Sequence, residues 1–106
     1  MGQRKWVNAI KKNEIEPGQH KTIEVDGEPI AIFNLNGSYY AIGDVCTHDG
    51  GVLTGGEVQG KVITCPRHGA QFDITDGSVL RMPAFEPVPS YEVRVEGDDV
   101  QILYEN

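Results

Sequence analysis

Long apolar runs are what this sequence most plainly lacks. The N-terminus, Met1-Gly2-Gln3-Arg4-Lys5-Trp6, has no apolar stretch behind its charges, and no later segment approaches bilayer-spanning length. Neither a secretory signal nor a membrane contact is expected, and the default location is cytoplasmic. The sequon Asn36-Gly37-Ser38 is accordingly read as a turn and not as a glycosylation site.

Basic charge is scarce too. Nine Lys and Arg stand against sixteen Asp and Glu, a net charge of −7, which repels phosphate backbones and anionic membranes and argues against nucleic acid as a partner. Such a surface either keeps a small protein soluble or steers brief encounters with basic proteins. Nucleotide-binding turns are missing as well. Gly55 to Lys61 spells G-x-x-x-x-G-K, yet Val62 occupies the place of the magnesium-binding Ser or Thr and a strand follows instead of a helix. The dinucleotide fingerprint G-x-G-x-x-G occurs nowhere. Cysteine is down to two residues and histidine to three. In a cytoplasmic chain two cysteines are metal ligands or inert core thiols before they are a disulfide.

What is there fits one compact domain, 1–106, without internal repeat, low-complexity tail or composition shift. A domain of this size buries only about 60 to 65 per cent of its unfolded surface, so a metal centre that ties loops together would help to hold it. Short β-branched and aromatic runs closed by Gly, Asp, Asn and Pro predict an all-β fold. Strands are expected at Lys5 to Ile10, Lys21 to Val25, Pro29 to Leu35, Tyr39 to Val45, Lys61 to Thr64, Gln71 to Ile74, Tyr91 to Val95 and Val100 to Leu103. No run shows helical periodicity. Asp26-Gly27, Asn36-Gly37 and Asp76-Gly77 supply the positive φ that two-residue hairpins demand, so the chain should zigzag as antiparallel hairpins. In Tyr91 to Glu96, alternation predicts Tyr91, Val93 and Val95 on one face. Trp6 and Phe33 read as core residues. A Gly-rich stretch from Asp49 to Gly60 and a Pro-rich one from Met82 to Pro89 read as loops.

Both cysteines and two of the three histidines fall in Cys46-Thr47-His48 and Cys65-Pro66-Arg67-His68, that is C-x-H-x16-C-x-x-H. Each motif sits just past an expected strand, so two adjacent loop tips can clasp one metal centre. A zinc site of two Cys and two His is chemically open to the same residues, although zinc fingers usually pair like ligands.

At these residues the sequence resembles the Rieske family, in which two Cys hold one iron of a 2Fe-2S cluster and two His hold the other. The resemblance extends through Cys65-Pro66-x-His68-Gly69, Phe72-Asp73, the Asp76-Gly77 turn and the proline loop. It implies a Rieske-type fold of antiparallel sheets or a small barrel, with two cluster-binding loops and a proline loop. It also implies one 2Fe-2S cluster, with Cys46 and Cys65 on the inner iron and His48 and His68 on the outer, near-surface iron. Two ferric ions, two sulfides and two thiolates sum to a neutral core, which takes up an electron more readily than a four-Cys cluster. Gly50, Gly51 and Gly69 offer backbone N–H groups to the sulfurs. Reduction should couple to protons, with a potential flat near neutral pH that falls once a ligand histidine ionises.

Departures from the family's respiratory branch set the expected potential. That branch has a disulfide between the two ligand loops, where this chain has Gly51 and Arg67, and hydroxyls where it has Ala70 and Phe72. Their absence predicts a low potential, about −150 mV. The chain thus resembles the ferredoxin components of bacterial ring-hydroxylating dioxygenase systems. The resemblance implies an electron carrier, not an enzyme, passing electrons from an NAD(P)H-dependent flavin reductase to a terminal non-haem iron oxygenase, and working as a monomer. A small Rieske-like subunit of a nitrite reductase-type complex is the alternative, and a zinc or interaction domain the third. The chain is one histidine short of an oxygenase iron site, since only His20 remains beyond the motifs, and His20 reads as a surface residue. Asp49 and Arg67 read as solvated charges, or as groups that bias the imidazole pKa values or partner docking. Pro83, Pro87 and Pro89 are expected to stiffen a loop that shields the cluster.

Overall fold

The computed structural model describes residues 3–47, 50–82, 84 and 86–105. Eleven strands form three sheets, and every strand pair is antiparallel. The first sheet runs β1 (Arg4–Lys11), β11 (Asp99–Glu105), β10 (Val93–Glu96), and the second β2 (His20–Val25), β3 (Glu28–Leu35), β4 (Ser38–Gly43), β9 (Ser90–Tyr91). The third holds β5 (Val58–Gln59), β6 (Val62–Thr64), β7 (Gln71–Asp73) and β8 (Val79–Arg81) in chain order. One 3-10 turn, Lys12–Glu14, was not foreshadowed by any periodicity.

Strand β3 explains the layering. Its sequence is apolar without alternation because it is covered on both faces. Ile30 and Ile32 enter one core with Ile10, Val100 and Ile102, whereas Ala31 and Phe33 enter a second core with Ile63, Phe72 and the two cysteines. The middle sheet therefore serves as floor for one core and ceiling for the other. The second core is the one that carries the ligand motifs.

The Asp26-Gly27 and Asn36-Gly37 turns have φ of 50° and 80°, and 55° and 92°, the paired positive values of a type I′ hairpin. Asp76-Gly77 departs from that expectation. Only Gly77 has a positive φ, and the loop between β7 and β8 closes instead through Gly77 N–H to Asp73 O at 2.7 Å and Asp73 N–H to Ser78 O at 2.9 Å. Asp73 organises this loop by accepting from the Thr75 amide and hydroxyl.

Tyr91 to Val95 is not one strand. Tyr91 pairs with Ala41 in the second sheet while Val93 pairs with Ile102 in the first, so the chain changes sheets at Glu92. Val95, expected on the buried face, is 43% exposed. Strand β4 ends at Gly43, two residues early, with Gly43 N–H still donating to Pro89 O at 2.8 Å in line with the β4–β9 pairing. Phe33 is buried as expected, but Trp6 is only half-buried and packs under the Arg94 guanidinium, 4.3 Å from its ring centre.

The Pro-rich stretch is anchored at Glu86 and Val88. Thr47 Oγ1 donates to Glu86 O at 2.6 Å, and Val88 N–H donates to Gly77 O at 2.9 Å. Gly77 is required there, since a Cβ would lie 2.2 Å from Val88 O. Pro83 lies outside the described residues.

Candidate metal centre

Two loops of equal length carry the motifs, and they close in the same way. In 46–51, Cys46 N–H bonds Gly51 O at 2.8 Å and Gly50 N–H bonds Cys46 O at 2.7 Å. In 65–70, Cys65 N–H bonds Ala70 O at 2.7 Å and Gly69 N–H bonds Cys65 O at 3.2 Å. Gly50 and Gly69 hold matching φ of 75° and 78°, a left-handed conformation that favours glycine. The Gly50 and Gly69 amides, expected at the sulfurs, thus bond the cysteine carbonyls instead, and the amides that reach the Cys65 sulfur are those of Arg67 and His68.

Cys46 and Cys65 form no disulfide, are almost fully buried and belong to one apolar cluster. Burial raises the Cys65 thiol's pKa, but the Arg67 and His68 amides, the Cys46 side chain and the Arg67 charge outweigh it, so the thiol is held below the ordinary cysteine value. Amides aimed at a sulfur favour its thiolate, which is the form that binds metal. His68, three residues on, is exposed. The structure thus brings the two thiols together inside and leaves one imidazole at the surface. His48 and Asp49 lie outside the described residues. Among the described residues no three Cys, His, Asp or Glu side chains converge on one point. His20 is exposed on β2, its ring 5.3 Å from that of Phe33, the residue opposite it on β3.

Two residues have supporting contacts that the sequence did not reveal. Asp44 is a buried carboxylate that accepts from Leu53 N–H at 3.0 Å, Thr54 N–H at 2.7 Å, Thr54 Oγ1 at 2.6 Å and Thr22 Oγ1 at 2.8 Å. It fastens both ends of the first loop to each other and to β2. A lone Asp two residues ahead of a Cys was its only signal. Arg67 is the second. Its guanidinium crosses to the first loop and donates to Val52 O at 2.9 Å, lying where a Cβ on Gly51 would be. The positions expected to leave the loops unlinked are in contact. Ala70 and Phe72 are fully buried and apolar, and they bring no hydroxyl to the thiols.

The Rieske [2Fe-2S] domain family matches residues 5–92. This chain belongs to that family. Among curated proteins, the naphthalene 1,2-dioxygenase system ferredoxin component of Pseudomonas aeruginosa is 33% identical over 92% of this chain and 94% of its own length. In a solved complex of reduced oxygenase and oxidized ferredoxin in carbazole 1,9a-dioxygenase, one chain superposes with a TM-score of 0.86 at 29% identity, covering 92% of each chain. A putative NADH-dependent nitrite reductase small subunit from Mycobacterium tuberculosis superposes with a TM-score of 0.80 at 27% identity, covering 96% of each.

A Rieske domain implies one 2Fe-2S cluster, and when bound it supplies a one-electron couple. The described residues fit it: two buried thiols together, amides aimed at one of them, and an exposed imidazole three residues after Cys65 in the same loop. The apolar cluster around Cys46 and Cys65 excludes water from the sulfur side, and the exposed His68 leaves the imidazole side open to a partner.

Proposed function

We propose that this chain is a cytoplasmic one-electron carrier whose low-potential Rieske cluster is held by Cys46, His48, Cys65 and His68. The observation that carries the reading is the pair of equivalent loops with their thiols buried and His68 exposed, which gives an electron a short way in and out at one end of the molecule. The whole described chain acts as one Rieske domain and exchanges electrons as a monomer. Its donor is an NAD(P)H-dependent flavin reductase, and its acceptor is a terminal non-haem iron oxygenase. Support comes from relatives that are themselves ferredoxin components, matched over nearly their full length.

The low potential follows from the surroundings of the thiols. Neither the Ala70 nor the Phe72 side chain carries a hydrogen-bond donor, so the reduced anion is stabilised less than in a hydroxyl-lined site. The decisive experiment is a redox titration of the purified protein followed by visible absorption and EPR. A red-brown protein with one rhombic signal and a midpoint of about −150 mV is expected. A strongly positive midpoint would sink the low-potential carrier, and a colourless, EPR-silent protein that binds zinc would sink the cluster.

The likeness to a nitrite reductase small subunit favours one second reading, a permanent subunit of a larger reductase. Gel filtration of untagged protein from its own host separates the two. A carrier elutes alone at 11.6 kDa, whereas a subunit elutes with its large partner.

A further inference from the structure

The two ligand loops meet through one side chain. Arg67 follows Cys65 by two residues and immediately precedes His68, and its guanidinium leaves its own loop altogether. It lies flat over Gly51, with Cζ and Nη2 both 2.7 Å from where a Cβ would be and Nε at 3.0 Å, and Nη1 donates to Val52 O at 2.9 Å. Gly51 is the residue whose carbonyl closes the first loop onto Cys46. Arg67 therefore grips the closing residue of one loop from within the other. The planar, multiply donating guanidinium can do both at once, which a lysine ammonium cannot.

We infer that Arg67 is a positioning residue, a non-covalent clasp through Gly51 and Val52 that keeps the two ligand loops in register and slows loss of the cluster. The inference rests on the reading of 46–51 and 65–70 as ligand loops. Arg67 plays two separable roles. The clasp acts through geometry and governs how fast the loops part. The charge, close to Cys65, favours the more negative reduced state and so raises the potential.

Gly51 offers a clean way to separate them. Its φ is not positive, so alanine is compatible with the backbone, and the three atoms nearest its methyl all belong to the end of one long side chain. Gly51→Ala opens the clasp while leaving the charge, the ligands and the amide donors in place. The test is the rate at which a chelator strips the cluster from wild type, Arg67→Ala, Gly51→Ala, Arg67→Lys and the double variant, with midpoint potentials measured alongside. Both alanine variants should lose the cluster about five-fold faster, the scale of a single exposed, charge-assisted contact. The double variant should be no faster than the faster single one, because one interaction cannot be removed twice. Arg67→Lys should keep the wild-type potential but stay faster than wild type, and Arg67→Ala alone should lower the potential.

A wild-type rate in Gly51→Ala, or a double variant whose acceleration is the product of the two singles, would overturn the clasp. Failure of the wild-type protein to hold any cluster would instead defeat the proposed function before any variant was made.

Discussion

The two ligand loops have the same backbone closure and are held by different means. The loop at 65–70 joins β6 to β7, which pair with each other, so the ladder at Thr64 and Gln71 fixes both of its ends. The loop at 46–51 follows β4 with no strand returning beside it. Its ends are fixed by the Asp44 carboxylate, and its far side by Thr47 and the incoming Arg67. The same geometry is thus built from main chain on one side and from side chains on the other. A single side-chain truncation at Asp44 removes the acceptor that ties the ends of the first loop, whereas the ladder that fixes the second loop is main chain.

The largest expected effect follows directly. Asp44→Ala leaves the Leu53 and Thr54 amides without their acceptor in a buried setting and should cost about 3 kcal/mol in urea unfolding. The matched change in the second loop, Gln71→Ala, removes only the 3.2 Å contact to Thr64 Oγ1, and should cost less than about 1 kcal/mol. Equal losses at the two sites would erase the contrast.

The Pro-rich segment sharpens it. Its link to the second-loop sheet is main chain, Val88 to Gly77, and Gly77→Ala places a methyl 2.2 Å from Val88 O at a φ of 79°. A loss of about 2 kcal/mol is expected in thermal or urea unfolding. Its link to the first loop is a side chain, and Thr47→Val should cost about 1 kcal/mol and raise amide exchange near Glu86.

The smallest effect is one of pH. Burial raises the Asp73 pKa, but the Thr75 hydroxyl and amide and the Lys61 ammonium outweigh it, holding the carboxyl below its ordinary value. A depressed folded value means that this stabilisation is complete above the unfolded carboxylate pKa, about 3.9. It is then lost as pH falls through the folded value. Melting curves below about pH 5 should therefore fall less steeply in Asp73→Asn than in wild type. Parallel slopes would remove Asp73 from the account of acid sensitivity.

Much of this was legible from residue order alone. Asn-Gly and Asp-Gly turns are local chemistry, and so is a Cys-x-His beside a strand end. What escaped depends on neighbours distant in the chain. Alternation from Tyr91 to Val95 looks the same whether a strand keeps one partner or exchanges Ala41 for Ile102 half-way. Strands β5 and β8 are too short to carry a period. Asp44 reads as a surface charge until Thr22 and Thr54 are folded around it. Arg67 reads as solvated until Gly51, sixteen residues earlier in sequence, leaves room for it.

The pairing of β1 with β11 bears on the order in which the chain assembles. That ladder joins the first and last described strands, so the core of Ile10, Val100 and Ile102 must wait for a long loop to close. Strands β5 to β8 are consecutive and need only local turns. The β5–β8 sheet can therefore form early in refolding, with the outer sheet docking last. Mutational φ-values should then be high at Ile63 and Phe72 and near zero at Val7 and Ile102. During synthesis, the β5–β8 sheet would be shaped while the strand that seals the opposite core is still on the ribosome.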